Sequence, residues 1–208
     1  MNENANEEVR NEDGDAAVTL KVKGSKEPDY PKRVANAICW QLRDHGTCQM
    51  RAVKDEAVAA SIKAIAQANK KVEAAGVVLS FDAVFSALDS SKEMSPIVIE
   101  FTVQEVNAQP NEKVEYKVSA KNHEDEKEVA KLAGAVSAMI RKGNTVILRC
   151  VGPYAIYKSV RAIVMAKGYV FANGILIESV PSWLTLHGEG KGGTDISVLA
   201  IEVRSRKA

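Results

Sequence analysis

The chain repeats itself, and the repeat limits what its 208 residues can fold into more than any other feature. Arg51 through Leu79 aligns without a gap on Arg149 through Ile177, at an offset of 98 residues. In that register Val53, Ala57 and Ser61 meet Val151, Ala155 and Ser159. Lys63, Ala64 and Ile65 meet Arg161, Ala162 and Ile163, and Gly76 meets Gly174. Upstream, Leu20-Lys-Val-Lys-Gly24 returns as Tyr116-Lys-Val-Ser-Ala120. Unrelated Ala-rich helices share alanines by chance but not the flanking arginines and the glycine beyond, so the chain reads as a tandem duplication.

Each copy predicts the same elements in the same order. A short alternating strand (18–24; 114–120) leads to an amphipathic helix (29–45; 125–142). The first of these helices opens at Pro28 and Pro31, the second at the acidic run Glu124 to Glu128, which suits the positive end of a helix dipole. Gly46 and Gly143 stop them. A strand follows (47–53; 145–151), then a second helix whose Val58, Ile62, Ile65 and Ala66 recur as Ile156, Val160, Ile163 and Val164. Gly76 and Gly174 open a third strand, with Trp183 packing near the end of its second copy, and a last strand (96–106; 195–203) closes each unit. Trp40 is expected in the core. The fold class is α/β: two tandem β-α-β-α-β-β units, each a two-layer sandwich on a mixed sheet. The expected boundaries are a disordered acidic arm at 1–17, domains at 18–106 and 114–208, and a linker at 107–113.

The net charge of +1 hides an uneven distribution. The arm carries Glu3, Glu7, Glu8, Glu12, Asp13 and Asp15 against Arg10, a net of −5, whereas residues 114–208 carry +5. No stretch is apolar over the roughly 20 residues a membrane span needs, and the acidic start is unlike a signal or transit peptide, so a cytoplasmic protein without membrane contacts is expected. The three cysteines, Cys39, Cys48 and Cys150, form no CxxC pair and read as buried free thiols.

The second copy also resembles a known family. Lys117-Val-Ser-Ala-Lys121, Ala133-Gly-Ala135, Arg141-Lys-Gly143 and the run from Gly152-Pro-Tyr154 to Val170, with Gly174 and Pro181 beyond, are similar to the bacterial stage V sporulation protein S family. That family is small, single-domain and similar in fold to Alba proteins, which bind DNA or RNA. The resemblance implies nucleic-acid binding, RNA and/or DNA with RNA favoured, and a tandem that acts as a built-in pseudo-dimer. Alba-like surfaces also imply homo-oligomers. A tandem of this kind resembles RNA-binding proteins of large nucleus-forming phages as well. Two departures stand out: the family usually has one copy, and the first copy here has Lys54-Asp-Glu56 where the second has Gly152-Pro-Tyr154.

A phosphate-binding surface needs long cationic side chains converging on one face. In the second copy Lys158 and Arg161 lie off the apolar stripe of their helix, Lys167 closes that helix, Arg149 is on the preceding strand, and Lys117 and Lys121 flank the first strand's exit. The alternative is a solvated helix face. Tyr154 and Tyr157 open the same helix and could stack on unpaired bases or pack in the core. The first copy offers Lys21, Lys23, Lys26, Arg51 and Lys63, diluted by Asp55 and Glu56.

Gly188, Gly190 and Gly193 match GxGxxG in form, but a strand follows where a dinucleotide site needs a helix. The loop reads instead as a flexible hairpin tip that carries His187 and Lys191 toward a polyanion, or as a tip with no role. His45, His123 and His187 lack metal-ligand spacing, and neither a nucleophile elbow nor a Walker lysine is present. No enzyme activity, cofactor or metal is expected. A protein-interaction or assembly module without nucleic-acid binding is the competing reading.

Overall fold

The computed structural model describes residues 19–86, 98–106, 112–189 and 191–206; of Ser86, of 98–102, of 104–106 and of Lys191 it describes the backbone alone. The expected arm, most of the expected linker and the loop of the first copy that matches the glycine tip lie outside the described residues.

The first copy comprises β1 (Leu20–Val22), α1 (Tyr30–His45), β2 (Thr47–Val53), α2 (Lys54–Val72), β3 (Val78–Ser86) and β4 (Val98–Val106). The second comprises β5 (Lys113–Val118), α3 (Glu126–Arg141), β6 (Thr145–Cys150), α4 (Pro153–Phe171), β7 (Leu176–Leu186) and β8 (Ile196–Arg206). β1 runs parallel to β2 and β5 parallel to β6, while the other pairs are antiparallel. This is the expected mixed α/β architecture, given twice.

Local chemistry sets the element ends. Asp125 caps α3 by accepting from the Lys127 amide at 2.9 Å, with Glu126 and Glu128 in the first turn. Gly46 ends α1 at φ 72°, a left-handed conformation that costs glycine little. β1 is shorter than its alternation predicts. The Lys23 amide beyond it donates to the Tyr30 hydroxyl rather than to a strand.

The two halves of the sheet are joined by one strand pair. The strand order is β1-β2-β4-β3-β7-β8-β6-β5, and β3 meets β7 only at Phe81↔Ser179. Side chains from the central helices close the splayed strands on either side of that pair. The Asn69 amide donates to the carbonyls of Leu79 and Pro181, both at 2.9 Å, and accepts from the Leu79 amide. Lys167 donates to the Ala83 carbonyl at 3.2 Å and pairs with Asp82.

Above the sheet α1 packs on α2, α2 on α4 and α4 on α3, so one helix layer spans both copies and one core runs beneath it. Position in this layer decides burial. α1 is an outer helix with one buried stripe, Ala35, Ile38 and Leu42. Trp40 lies off that stripe and is 62% exposed, with the Arg43 guanidinium 4.6 Å from its ring centroid, which corrects its expected place in the core. α4 is flanked on both sides, and every residue from 155 to 163 is buried.

All three cysteines are free; Cys48 and Cys150 are buried and Cys39 half-buried. Trp183 sits within β7, opposite Leu199, and is 38% exposed.

Candidate nucleic-acid interface

The expected cationic face of α4 does not form. Lys158 is 6% exposed and Arg161 3% exposed, because α4 is enclosed by neighbours on the side where one apolar stripe predicts solvent. Both reach the loop between β5 and α3. Lys158 Nζ lies 3.4 Å from the Lys121 carbonyl, and one Arg161 nitrogen donates to the His123 carbonyl at 3.0 Å. Another Arg161 nitrogen pairs with Glu126, and the guanidinium lies 5.5 Å from the Tyr157 ring centroid. Tyr157 is buried too, and burial pushes its hydroxyl pKa upward. These groups fasten the loop to the helix.

That loop in turn builds an exposed feature. His123 stacks on Tyr154 with ring centroids 4.2 Å apart, and Tyr154 remains 44% exposed at the start of α4. Gly152, at φ 81°, provides the turn that starts the helix there. Lys117 and Lys121 are exposed at the same end of the copy.

Lys167 is committed across the junction to Asp82 and Ala83. Arg149 is half-buried and ion-paired with Glu115 at 3.4 Å and Glu189 at 4.0 Å. At the glycine tip His187 Nδ1 lies 2.8 Å from Asp195, which also accepts from the Gly188 amide at 3.1 Å. These bonds close the base of the tip; the backbone of Lys191 lies in a short 3₁₀ segment. In the first copy Lys21 and Lys23 are exposed, while Arg51 and Lys63 are half-buried.

One arrangement recurs in both copies. Lys21 on β1 pairs in register with Arg51 on β2, and Lys117 on β5 pairs in register with Arg149 on β6. Register partners project from the same face. Their neighbours Val22, Met50, Ala52, Val118, Leu148 and Cys150 are buried beneath the helices, so both Lys–Arg pairs project from the opposite face. Each pair lies at one outer end of the strand order.

A family model described as Stage V sporulation protein S matches the chain twice, over residues 18–106 and 115–204. The chain belongs to this family, as a tandem of two SpoVS copies. No curated protein matches it.

The first SpoVS copy departs from the second at the turn into the central helix. Lys54 replaces the glycine there and still holds φ 69°, and Asp55 and Glu56 stand where the second copy has proline and tyrosine. Gly24 packs against Glu56, and a Cβ on it would lie 2.9 Å from the Glu56 Cβ. The second SpoVS copy is thus the one with an exposed aromatic at this turn. His123 has no signal in the sequence, because its stack with Tyr154 brings together residues 31 apart in the chain. Among the described residues no cluster of three or more His, Cys, Asp or Glu could hold a metal, and no helix is long and apolar enough to cross a membrane.

Proposed function

We propose that the protein binds nucleic acid without catalysing a reaction, with little sequence preference and with RNA ahead of DNA. The contacts are the Lys–Arg pairs at the ends of the sheet together with Lys121 and the Tyr154–His123 stack, chiefly on the second copy. The observation that carries this reading is the duplicated register pairing of Lys21 with Arg51 and Lys117 with Arg149. Two copies that differ at most positions retain a cation pair at the same place, on the face the helices leave open. Cations so placed meet phosphates regardless of base. An exposed ring favours unpaired bases, which stack on aromatic side chains, and these are common in RNA loops but absent from duplex DNA. Such binding is the expected role of an Alba-like unit in the cytoplasm. The charge of Glu115 and Glu189 beside Arg149 makes Lys117 and Lys121 the stronger contacts of the second copy.

The test is a gel shift of single-stranded RNA, single-stranded DNA and duplex DNA with the wild-type chain and a Lys117→Glu/Lys121→Glu chain. The double reversal is expected to weaken RNA binding at least tenfold on every sequence tried. Equal binding by both chains would remove these residues from the interface, and no shift with any nucleic acid at low salt would overturn the reading.

A further inference from the structure

β7 has two edges and only one is fully used. It pairs with β8 along its whole length, Leu176↔Arg206 to Leu186↔Ile196, but with β3 only at Ser179. Asn69 occupies the next step, at Leu79 and Pro181. From Ser182 to Leu186 no strand pairs with this edge among the described residues. A groove of ≈ 740 Å³ runs there, between β7 and the C-terminal half of α2. Residues from both faces of β7 line it, Ser182 from one and Trp183 and Thr185 from the other, so the strand edge itself faces the groove.

We propose that this edge is a docking site for an extended peptide, which adds to the sheet as a further strand. The inference is independent of nucleic-acid binding. A strand edge offers alternating N–H and C=O groups about 3.3 Å per residue apart, and only another polypeptide backbone matches that spacing with hydrogen bonds. Charge points the same way. Lys70, Lys113 and Arg204 in the groove wall face Glu73 and Glu202, with Lys113 3.0 Å from Glu202 and Arg204 3.4 Å from it, and Arg204 is also paired with the buried Glu178 at 2.5 Å, three carboxylates to three cations. A wall so neutralised offers a polyanion little. Among the described residues α2 stands across the groove from this edge, and the edge carries little protection of its own. Folded proteins guard open edges with charge, proline or brevity. The outer strands comply: β5 carries Lys113, Glu115 and Lys117, and β1 has three residues. Ser182-Trp-Leu-Thr-Leu186 is uncharged and free of proline. Alternation then sets the peptide's character: side chains on one side meet Trp183 and Thr185 and are apolar or β-branched, and those on the other meet Ser182 and the ion-paired wall and are polar.

A Trp40→Phe chain leaves Trp183 as the single tryptophan, and Trp40 is exposed enough to replace without touching the core. The probe is a pool of eight-residue peptides in which Val, Phe or Thr alternates with Ser or Asp. Saturable change in Trp183 emission is expected, with slower amide exchange at alternate residues from Ser182 to Leu186. The same pool with every backbone amide N-methylated is expected to bind at least tenfold more weakly. Equal binding by the methylated pool would overturn the proposal, because side chains alone would then carry recognition. So would the absence of any change, or displacement of the peptides by single-stranded oligouridine, which would make the groove a nucleic-acid site.

Discussion

Phe81 and Ser179, the one pair that joins the two sheet halves, stand 98 residues apart, the same offset that aligns the two copies. Each is therefore the other's counterpart, and an internal pseudo-two-fold axis passes through the pair. Asn69 and Lys167 are counterparts at the same offset, as are Ala83 and Pro181. Asn69 donates to Pro181 and Lys167 to Ala83, so the axis relates the two contacts although the side chains differ. The duplication thus encloses a dimer-like junction within one chain.

The two contacts differ in weight. Asn69→Ala removes three hydrogen bonds and leaves the Leu79 amide without its side-chain acceptor, for an expected loss of about 2–3 kcal/mol in urea unfolding. Lys167→Ala breaks a partly exposed ion pair and is expected to cost under about 1 kcal/mol.

Arg161 and Lys117 should separate stability from binding. Arg161→Met loses the bond to the His123 carbonyl and the contact with Glu126, for an expected loss of about 1–3 kcal/mol. Any weakening of RNA binding should follow the disturbed His123–Tyr154 stack. Lys117→Glu, at an exposed position, should change stability by less than about 0.5 kcal/mol and weaken RNA binding directly. Thermal unfolding and RNA titration of both chains distinguish the two roles.

Lys54 holds φ 69°, where a side chain with a Cβ is disfavoured by about 1–2 kcal/mol. Glycine relieves that strain but loosens the unfolded chain, so Lys54→Gly should stabilise the fold by about 0.5–1 kcal/mol. A lower midpoint in denaturant would show that the lysine side chain contributes more than its backbone costs.

Burial pushes the thiols of Cys48 and Cys150 up to about 12 from the ordinary 9.0. Both stay protonated in the fold at pH values where the unfolded chain ionises. Their contribution to stability is complete below about pH 9 and declines as pH rises toward 12. A thiolate-directed reagent at pH 8 should leave both unmodified until the chain unfolds; labelling at the unfolded rate would contradict their burial.

Much of this was legible in the sequence. The 98-residue repeat gave the copies, and their periodicity gave the helices and strands. The strand junction was not legible, because a single backbone pair leaves no hydrophobic pattern of its own. Burial of Lys158 and Arg161 had a readable signal: residues 155–166 hold only these two charges, and a helix apolar nearly all round is enclosed. Their partners lie 35 and more residues upstream, where helical spacing cannot point. Trp40 went astray for the opposite reason: residue type argued for the core, but the outer helix buries only one stripe.

The salt dependence of RNA binding tests the central claim most directly. Roughly five phosphate contacts at about 0.7 counterions each give a log–log slope near −3.5, and Lys117→Glu/Lys121→Glu should lower its magnitude by about 1.4 or more. A wild-type slope near zero, or one unchanged by the double reversal, would contradict an interface built on these cations.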